Sequence, residues 1–295
     1  MDGRPIGMFD SGFGGLTVAR AVIDLLPAED VVFVGDTGRY PYGSKPQAAV
    51  AEYARQIARY LIDQHDVKVV VVACNTAASA VDLARELPVP VIGVIGPGAR
   101  SLVQATRSGH VGVIGTVGTI GSGSYQRAVV AAVDELAAAG TIADPAAGAP
   151  SIELTCAACP GFVEFVERGV VSGDEITVLA ERLLAPVREA KVDALLLGCT
   201  HYPYLARVIG DVMGSDVVLV SSADETAFAL RRLLDEEGLA RGGDRSGTHT
   251  FVSSGDVEWF GALGRRLLGP ELSTVLPVAF PDPTAHVHPP TRSTP

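Results

Sequence analysis

The sequence predicts an α/β fold of two similar domains, each a mostly parallel sheet flanked by helices. Short apolar runs alternate with amphipathic stretches along most of the 295 residues. The runs are continuous and rich in β-branched residues, which indicates strands buried on both faces. Strands that alternate with helices indicate parallel pairing. A weak internal repeat indicates two domains, and we expect the functional site in the cleft between them.

Seven apolar runs account for the predicted strands, and several of them end at glycine or a small polar residue. The predicted strands are residues 6–9, 31–34, 67–73, 91–95, 111–114, 194–197 and 217–220. Helices are predicted where apolar residues recur every three or four positions, and one starts at Pro46, which suits a first helical turn. The predicted helices are residues 16–26, 46–61, 76–86, 123–137, 174–189, 201–213, 224–237 and 256–268.

The internal repeat places one cysteine in each half of the chain. Residues 69–76 (VVVVACNT) and 194–201 (ALLLGCTH) each combine an apolar strand, a small residue, a cysteine and polar residues that open a helix. Residues 6–12 and 111–116 form a second, weaker pair of similar segments. We therefore predict that each domain carries one of the two cysteines.

Segments rich in glycine and proline suggest where the domains divide. The chain is expected to leave the first domain near Pro97–Gly98 and to return to it after about residue 210. The predicted domains are residues 1–98 plus 210–280 and residues 99–209. A loop is predicted at 137–150. Residues 281–295 contain few apolar side chains to bury, so we expect a disordered tail. We interpret His286 and His288 in it as solvent-exposed side chains, with metal binding as the weaker alternative.

Composition and charge exclude several classes of function. Hydrophobic residues make up 47% and charged residues 19%, as in a folded globular protein. The formal net charge of -11 argues against a nucleic-acid partner, which would need clustered Lys and Arg. No signal peptide or membrane span is evident, so we expect a cytoplasmic protein without a membrane partner. A small anionic substrate remains compatible with this charge, because it needs only a local positive site.

Cys74 and Cys199 are the strongest candidates for chemistry. Each follows a predicted strand and precedes a predicted helix, at the strand ends where open α/β sheets bind ligands. Backbone N–H groups and the helix dipole at such a position favour a thiolate. One buried cysteine could equally be a small core residue. Two unrelated core cysteines would rarely share this placement, so the pair favours a functional interpretation.

Two such thiols on opposite faces of a bound amino acid could exchange its Cα proton. One thiolate would remove the proton from one face, and the opposite thiol would supply a proton to the other face. A free thiol has a pKa of roughly 8.5, so modest local tuning makes both forms available near neutral pH. The pattern therefore indicates racemisation without a cofactor.

Two other patterns carry weaker signals. The glycines after Asp10 and Ser11 do not complete the G-x-G-x-x-G pattern, and no P-loop lysine follows, so nucleotide binding is disfavoured. Cys156 and Cys159 form a lone C-x-x-C pair without the second ligand pair that zinc usually needs. We interpret them as incidental thiols, with a redox role as the alternative.

Five ordered motifs resemble those of bacterial glutamate racemases, within the aspartate/glutamate racemase family, and most closely those of actinobacterial members. The likeness extends in order from about residue 6 to about residue 235. The motifs are residues 6–18 (IGMFDSGFGGLTV), 35–37 (GDT) with 41–43 (PYG), 73–76 (ACNT), 112–116 (GVIGT) and 198–203 (GCTHYP).

The resemblance implies interconversion of L- and D-glutamate without pyridoxal phosphate or metal, which supplies D-glutamate for peptidoglycan. It implies that Cys74 takes the proton from D-glutamate and Cys199 from L-glutamate, assisted by Asp10 and His201. A further family glutamate maps onto Glu167. Members are often dimeric, so a homodimer is an expectation.

The resemblance also implies a set of substrate-binding residues, since helix-start amides and hydroxyl groups suit the two carboxylates of glutamate. The implied residues are Asp10, Ser11, Tyr42, Gly43, Asn75, Thr76, Thr116, Thr119, Thr200 and His201. The sequence departs from the family pattern at Glu153, at Cys156 and in the Ala-rich segment at 137–150. That segment makes Glu164 a rival to Glu167.

Two alternatives to a glutamate racemase stay open at this point. A sister racemase acting on aspartate or a hydantoin would share the two-cysteine chemistry. A non-catalytic two-domain protein that binds small acids would explain the glycines and the helix starts, but not the paired cysteines.

Overall fold

Two parallel sheets flanked by helices form the core, as predicted. The computed structural model describes residues 1–142, 151–243 and 245–281. Within these ranges ten strands form a six-stranded sheet and a four-stranded sheet, and every strand pairing is parallel. The described residues contain no helix that is both long and apolar enough to span a membrane.

The two sheets use different parts of the chain. The first sheet has the spatial order β10 (Val275–Pro277), β9 (His249–Ser253), β2 (Val31–Gly35), β1 (Ile6–Asp10), β3 (Val69–Val72), β4 (Val91–Gly93). The second sheet has the order β6 (Glu153–Ala158), β5 (His110–Gly115), β7 (Ala194–Gly198), β8 (Val218–Ser221). The N-terminal and C-terminal parts of the described chain therefore share the first sheet.

Helices cover both faces of each sheet. They are α1 (Leu16–Leu25), α2 (Gln47–His65), α3 (Asn75–Ala80), α4 (Ile95–Ala105), α5 (Val117–Gly121), α6 (Ser124–Ala138), α7 (Phe162–Glu167), α8 (Asp174–Leu183), α9 (Ala185–Glu189), α10 (Ala206–Met213), α11 (Ser222–Glu236) and α12 (Val257–Leu268). Helix α11 contacts both α1 and α4, and so links the helical layers of the two sheets.

Strand β3 illustrates why the central strands are continuous apolar runs. Val69 and Val71 belong to the apolar cluster on one face of the sheet, and Val70 and Val72 belong to the cluster on the other face. Successive side chains of a strand point to opposite faces, so a strand covered by helices on both sides needs apolar residues at every position.

Two predicted domain boundaries are wrong in detail. Strand β8 pairs with β7 in the second sheet, so the chain does not return to the first sheet at residue 210. Pro97 and Gly98 lie inside α4 rather than in a linker. Pro97 is tolerated there because N–H groups in the first helical turn have no intrahelical partner. We retain the division into two domains as a proposal, with the second unit extended through β8.

Three strands were not predicted: β6, β9 and β10. Most residues of β6 and β10 are half-buried or exposed, so their apolar pattern is weak. Strand β9 has polar residues at both ends, and only Phe251 and Val252 in it are apolar. Helices α4, α5 and α7 were also missed. The predicted helix at 174–189 is divided into α8 and α9.

Two predictions fall largely outside the described part of the chain. Helix α6 extends to Ala138, two residues into the loop predicted at 137–150, and residues 143–150 lie outside the described ranges. The predicted disordered tail at 281–295 lies outside them from residue 282 onward, and so do His286 and His288.

The carboxyl ends of four inner strands place the candidate site. Strand β1 ends at Asp10, and Cys74 follows β3 after one residue. In the second sheet, Thr116 and Cys199 directly follow β5 and β7. Because the strands of each sheet are parallel, their carboxyl ends lie at one edge, and the two edges meet at a cleft.

Candidate active site

A cleft lies between the two sheets and is lined by residues from both. Both candidate cysteines lie on its wall, and both are buried. Most of the site residues predicted from the sequence line the same cleft. They are Asp10, Ser11, Tyr42, Gly43, Cys74, Asn75, Thr76, Thr116, Cys199, Thr200 and His201.

Cys74 is the N-cap residue of α3. Its sulfur accepts a hydrogen bond from the N–H of Ala77 at 3.5 Å, and its thiol donates to the Ser11 hydroxyl at 3.6 Å. Burial raises the pKa of the Cys74 thiol well above its usual range, and the nearby carboxyl group of Asp10 raises it further. Cys74 is therefore a neutral thiol in the ligand-free cleft, close to a carboxyl group.

Asp10 is a buried carboxyl group at the end of β1. Its Oδ2 accepts a hydrogen bond from the N–H of Gly12 at 2.9 Å. Its Oδ1 is buried and has no hydrogen-bond partner among the described residues. Burial raises the pKa of Asp10, although the charge of His201 and the N–H groups of the loop oppose that change. Asp10 therefore offers an unsatisfied oxygen in the cleft that lies next to Cys74.

Cys199 faces an imidazole that is itself paired with a carboxylate. The Cys199 sulfur lies 3.9 Å from His201 Nδ1, and His201 Nε2 lies 3.1 Å from Glu167 Oε1. Burial lowers the pKa of His201, but the contacts with Cys199 and Glu167 outweigh burial and raise it to about 10. At neutral pH the imidazole is therefore protonated and carries its positive charge next to the sulfur.

The two candidate glutamates take different places. Glu167 is the last residue of α7, does not line the cleft, and contacts His201. Glu164 lies one helical turn earlier and lines the cleft. The sequence left both residues as candidates for the family glutamate. In the structure, Glu167 contacts His201 and Glu164 lines the cleft.

Gly14 brings the first glycine-rich loop against the Cys199 loop. A Cβ atom at Gly14 would collide with Thr200 Oγ1 and His201 Nδ1. The hydroxyl of Thr17 also donates to the carbonyl of Thr200 at 3.3 Å. Only a residue without a side chain allows this approach, which explains the glycine.

Three threonine hydroxyl groups form a small cluster beside the cleft. Thr76 lies 3.1 Å from Thr116 and 3.3 Å from Thr119, and Thr116 lies 3.0 Å from Thr119 between hydroxyl oxygens. Thr76 and Thr116 line the cleft, whereas Thr119 is fully buried and does not. The structure therefore places Thr119 behind the other two hydroxyl groups, not at the wall where a substrate residue was predicted.

Tyr42 and Gly43 lie on the loop before α2. The hydroxyl of Tyr42 donates to the buried carboxylate of Asp36, so this hydroxyl is already engaged while the residue lines the cleft. A Cβ atom at Gly43 would lie 3.0 Å from the Cβ of Thr116, the residue that follows β5. The loop before α2 therefore packs closely against the end of a strand of the second sheet.

Sequence reasoning missed several lining residues. Cys159 and Pro160 reach the cleft because they follow β6, an edge strand that was not predicted. Burial raises the pKa of the Cys159 thiol to about 12, so it stays neutral. Tyr40 also lines the cleft, and its hydroxyl is buried without a hydrogen-bond partner among the described residues. The Pro-Tyr-Gly motif beside it was the only local signal.

Comparison with known proteins agrees with this geometry. The family model of the Asp/Glu/Hydantoin racemases matches residues 14–229. The chain belongs to the Asp/Glu/Hydantoin racemase family. The prediction of a racemase fold and of racemase activity is thereby confirmed at the level of the family.

Curated relatives of this racemase family member match over nearly their full length. It is 49% identical over 286 residues to a glutamate racemase of Parafrankia sp., covering 95% of this chain and 97% of the relative. It is 47% identical over 278 residues to a glutamate racemase of Acidothermus cellulolyticus, covering 93% of this chain and 99% of the relative.

Solved structures of the same kind superpose on this family member. The glutamate racemase isoform RacE1 of Bacillus anthracis gives a TM-score of 0.82 at 35% identity, covering 95% of this chain and 98% of that chain. The glutamate racemase of Francisella tularensis, solved in complex with D-glutamate, gives a TM-score of 0.82 at 34% identity, covering the same shares.

Proposed function

We propose that this chain interconverts L- and D-glutamate without a cofactor, with Cys74 and Cys199 as the two proton-transfer groups. The observation that carries the proposal is the placement of both thiols on the wall of one cleft, one from each sheet. Relatives that match over nearly their whole length are glutamate racemases, which supports glutamate as the substrate.

The reaction from L- to D-glutamate starts with Cys199 as a thiolate and Cys74 as a thiol. The Cys199 sulfur takes the Cα proton, so a C–H bond breaks, an S–H bond forms and the electron pair stays on the substrate. Cys74 then gives its proton to the opposite face of Cα and becomes a thiolate. The reaction from D- to L-glutamate reverses these roles, as a two-base mechanism requires.

The surroundings of the two sulfurs support this division of roles. The protonated imidazole of His201 favours negative charge on Cys199, and Glu167 in turn stabilises the imidazolium. Cys74 is held as a thiol by burial, and the nearby Asp10 carboxyl group can accept or return its proton during turnover. We assign Glu167, rather than Glu164, to the support of His201.

Polar groups of the cleft suit the charges of glutamate. Hydroxyl groups of Ser11, Thr76 and Thr200 line the cleft and can donate to carboxylate oxygens. The free Oδ1 of Asp10 can accept a hydrogen bond from the substrate ammonium group. The other predicted substrate residues that line the cleft are Tyr42, Gly43, Asn75, Thr116 and His201.

The product, D-glutamate, defines the cellular role that we propose. D-glutamate is the form that enters peptidoglycan, so we propose a role in cell-wall biogenesis and cell shape, with the enzyme acting in the cytoplasm. The homodimer expected from the family resemblance stays a prediction, which light scattering of the purified protein would test.

Proton exchange at Cα tests the proposed function directly. The purified protein is mixed with L-glutamate in deuterated water, and the Cα proton signal is followed by NMR. Racemisation replaces this proton with deuterium and produces D-glutamate, whereas binding alone leaves the signal intact. A parallel run with L-aspartate distinguishes the sister enzyme. Exchange of aspartate but not of glutamate would contradict our assignment of the substrate.

A further inference from the structure

Tyr125, in the first turn of α6, contacts the side chain that follows Cys74. It is fully buried, and its hydroxyl accepts a hydrogen bond of 2.7 Å from Asn75 Nδ2. Asn75 begins α3, which extends from the first sheet, whereas α6 packs on the second sheet. The bond therefore joins the two halves of the cleft at the Cys74 side.

The ring of the same tyrosine packs against the residue that precedes Cys199. A Cβ atom at Gly198 would lie 2.9 Å from Cε2 of Tyr125, a distance that real Cβ atoms essentially never show. Glycine at this position therefore leaves room both for the ring and for the carbonyl oxygen of Ile114, which a Cβ atom would approach to 2.7 Å. One side chain contacts the immediate neighbours of both reactive sulfurs.

The start of α6 holds α3 at a second point. The hydroxyl of Ser124 donates to the carbonyl of Ser79 at 3.3 Å. Ser124 and Tyr125 thus contact opposite ends of α3, Ser79 near its last turn and Asn75 at its start. The start of α6 therefore holds α3, the helix that Cys74 caps, through two hydrogen bonds.

We propose that Tyr125 is a positioning residue, which fixes the amide of Asn75 and the relative placement of the two cysteine loops for proton transfer. The inference rests on the proposed function. Asn75 lines the cleft, and its Oδ1 is buried without a hydrogen-bond partner among the described residues. Because Tyr125 holds Nδ2, Oδ1 is left to accept a hydrogen bond from a bound ligand, such as the ammonium group of an amino acid.

Tyr125→Phe tests this role, because it keeps the ring against Gly198 and removes only the hydroxyl group. We expect kcat/KM to fall about ten-fold for both enantiomers, with part of the loss in kcat, since one buried hydrogen bond is lost. The thermal midpoint should fall by only a few degrees, because one buried hydrogen bond contributes about 1 kcal/mol to stability. Tyr60→Phe is the matched control, because it also removes a tyrosine hydroxyl group. That hydroxyl lies 3.2 Å from His65 Nε2, and Tyr60 does not line the cleft.

A double-mutant cycle with Asn75→Ala separates positioning from a general structural effect. If Tyr125 acts through Asn75, adding Tyr125→Phe to Asn75→Ala should change kcat/KM by less than about two-fold. The inference would be overturned if the losses in kcat/KM of the two single variants multiplied in the double variant, or if Tyr125→Phe had normal kcat and KM. Either result would leave the proposed function in place. A wild-type chain that racemises neither enantiomer would instead overturn the proposed function, and this inference with it.

Discussion

His201 Nε2 lies 3.1 Å from Glu167 Oε1, while the opposite ring nitrogen faces the sulfur of Cys199. This contact connects a carboxylate outside the cleft with a thiol inside it. After the contact with Cys199, it is the next cause of the raised pKa of His201, because a carboxylate next to the imidazole favours its protonated form.

Glu167→Gln should lower the pKa of His201 from about 10. Loss of a charge-assisted hydrogen bond corresponds to a fall of about 1 to 2 pH units. Because the pKa of His201 is higher in the folded than in the unfolded protein, protonation of His201 stabilises the fold. This stabilisation is complete at a pH below the ordinary pKa of histidine and is lost as the pH rises through about 10 in the wild type. In the variant it should be lost at a lower pH. NMR titration of the His201 ring proton measures the change.

Glu164→Gln is the matched control for that experiment, since Glu164 lines the cleft without contacting His201. The alkaline limit of L-to-D racemisation should move to lower pH in Glu167→Gln and stay in place in Glu164→Gln. The reverse result would assign the role of the family glutamate to Glu164.

Cys74→Ser and Cys199→Ser should each reduce kcat by at least about 100-fold, because each removes one proton-transfer group. Circular dichroism should show an intact fold in both variants. Cys156→Ser is the control, because Cys156 lies on β6 and does not line the cleft. Near-normal turnover in either of the first two variants would refute the two-thiol mechanism.

Gly14→Ala should lower kcat/KM by about 100-fold, because the new Cβ pushes the first loop away from Thr200 and His201. Steady-state kinetics in both directions measure the loss. Gly96→Ala, at a position in α4 where an added Cβ meets nothing within 4 Å, should leave the kinetics unchanged. Equal kinetics in the two variants would mean that the loop can move without consequence.

Glu29→Gln should destabilise the fold by about 3–5 kcal/mol, because it leaves the buried charge of Lys68 without its partner. The Lys68 ammonium group lies 2.5 Å from Glu29 Oε2 and also donates to the carbonyls of Asp2 and Leu239 at 3.0 and 2.8 Å. Urea unfolding measures the change in free energy, and kcat of the folded variant should be unaffected. Arg85→Gln, which breaks an exposed ion pair with Asp82, should leave the unfolding midpoint in place.

Deletion of residues 282–295 should leave kcat and KM unchanged, because the sequence there offers little apolar surface to bury. Kinetic constants of the shortened chain, compared with the full chain, test this expectation. A large loss of kcat would show that this segment contributes to the active protein.

Much of the fold could be predicted from local patterns. Strands such as β1, β3 and β7 are covered on both faces, and so they are continuous runs of apolar residues and glycine, interrupted only by Asp10 at the end of β1. Strands β6 and β10 do not follow this rule, because most of their residues are half-buried or exposed and their apolar pattern is weak. Their omission also hid Cys159 and the turn that follows it, which form part of the cleft wall.

The sequence by itself determined that two cysteines follow buried strands, since strand burial depends on neighbouring residues. Of the two helix starts predicted after them, the one at Cys74 is present, whereas a short 3-10 turn separates Cys199 from α10. Only the tertiary structure decided that Glu167 contacts His201, that Thr119 lies behind the cleft wall, and that β8 joins the second sheet. Contacts of that kind join residues far apart in the chain, and they depend on how whole elements pack. Local sequence patterns therefore do not predict these contacts.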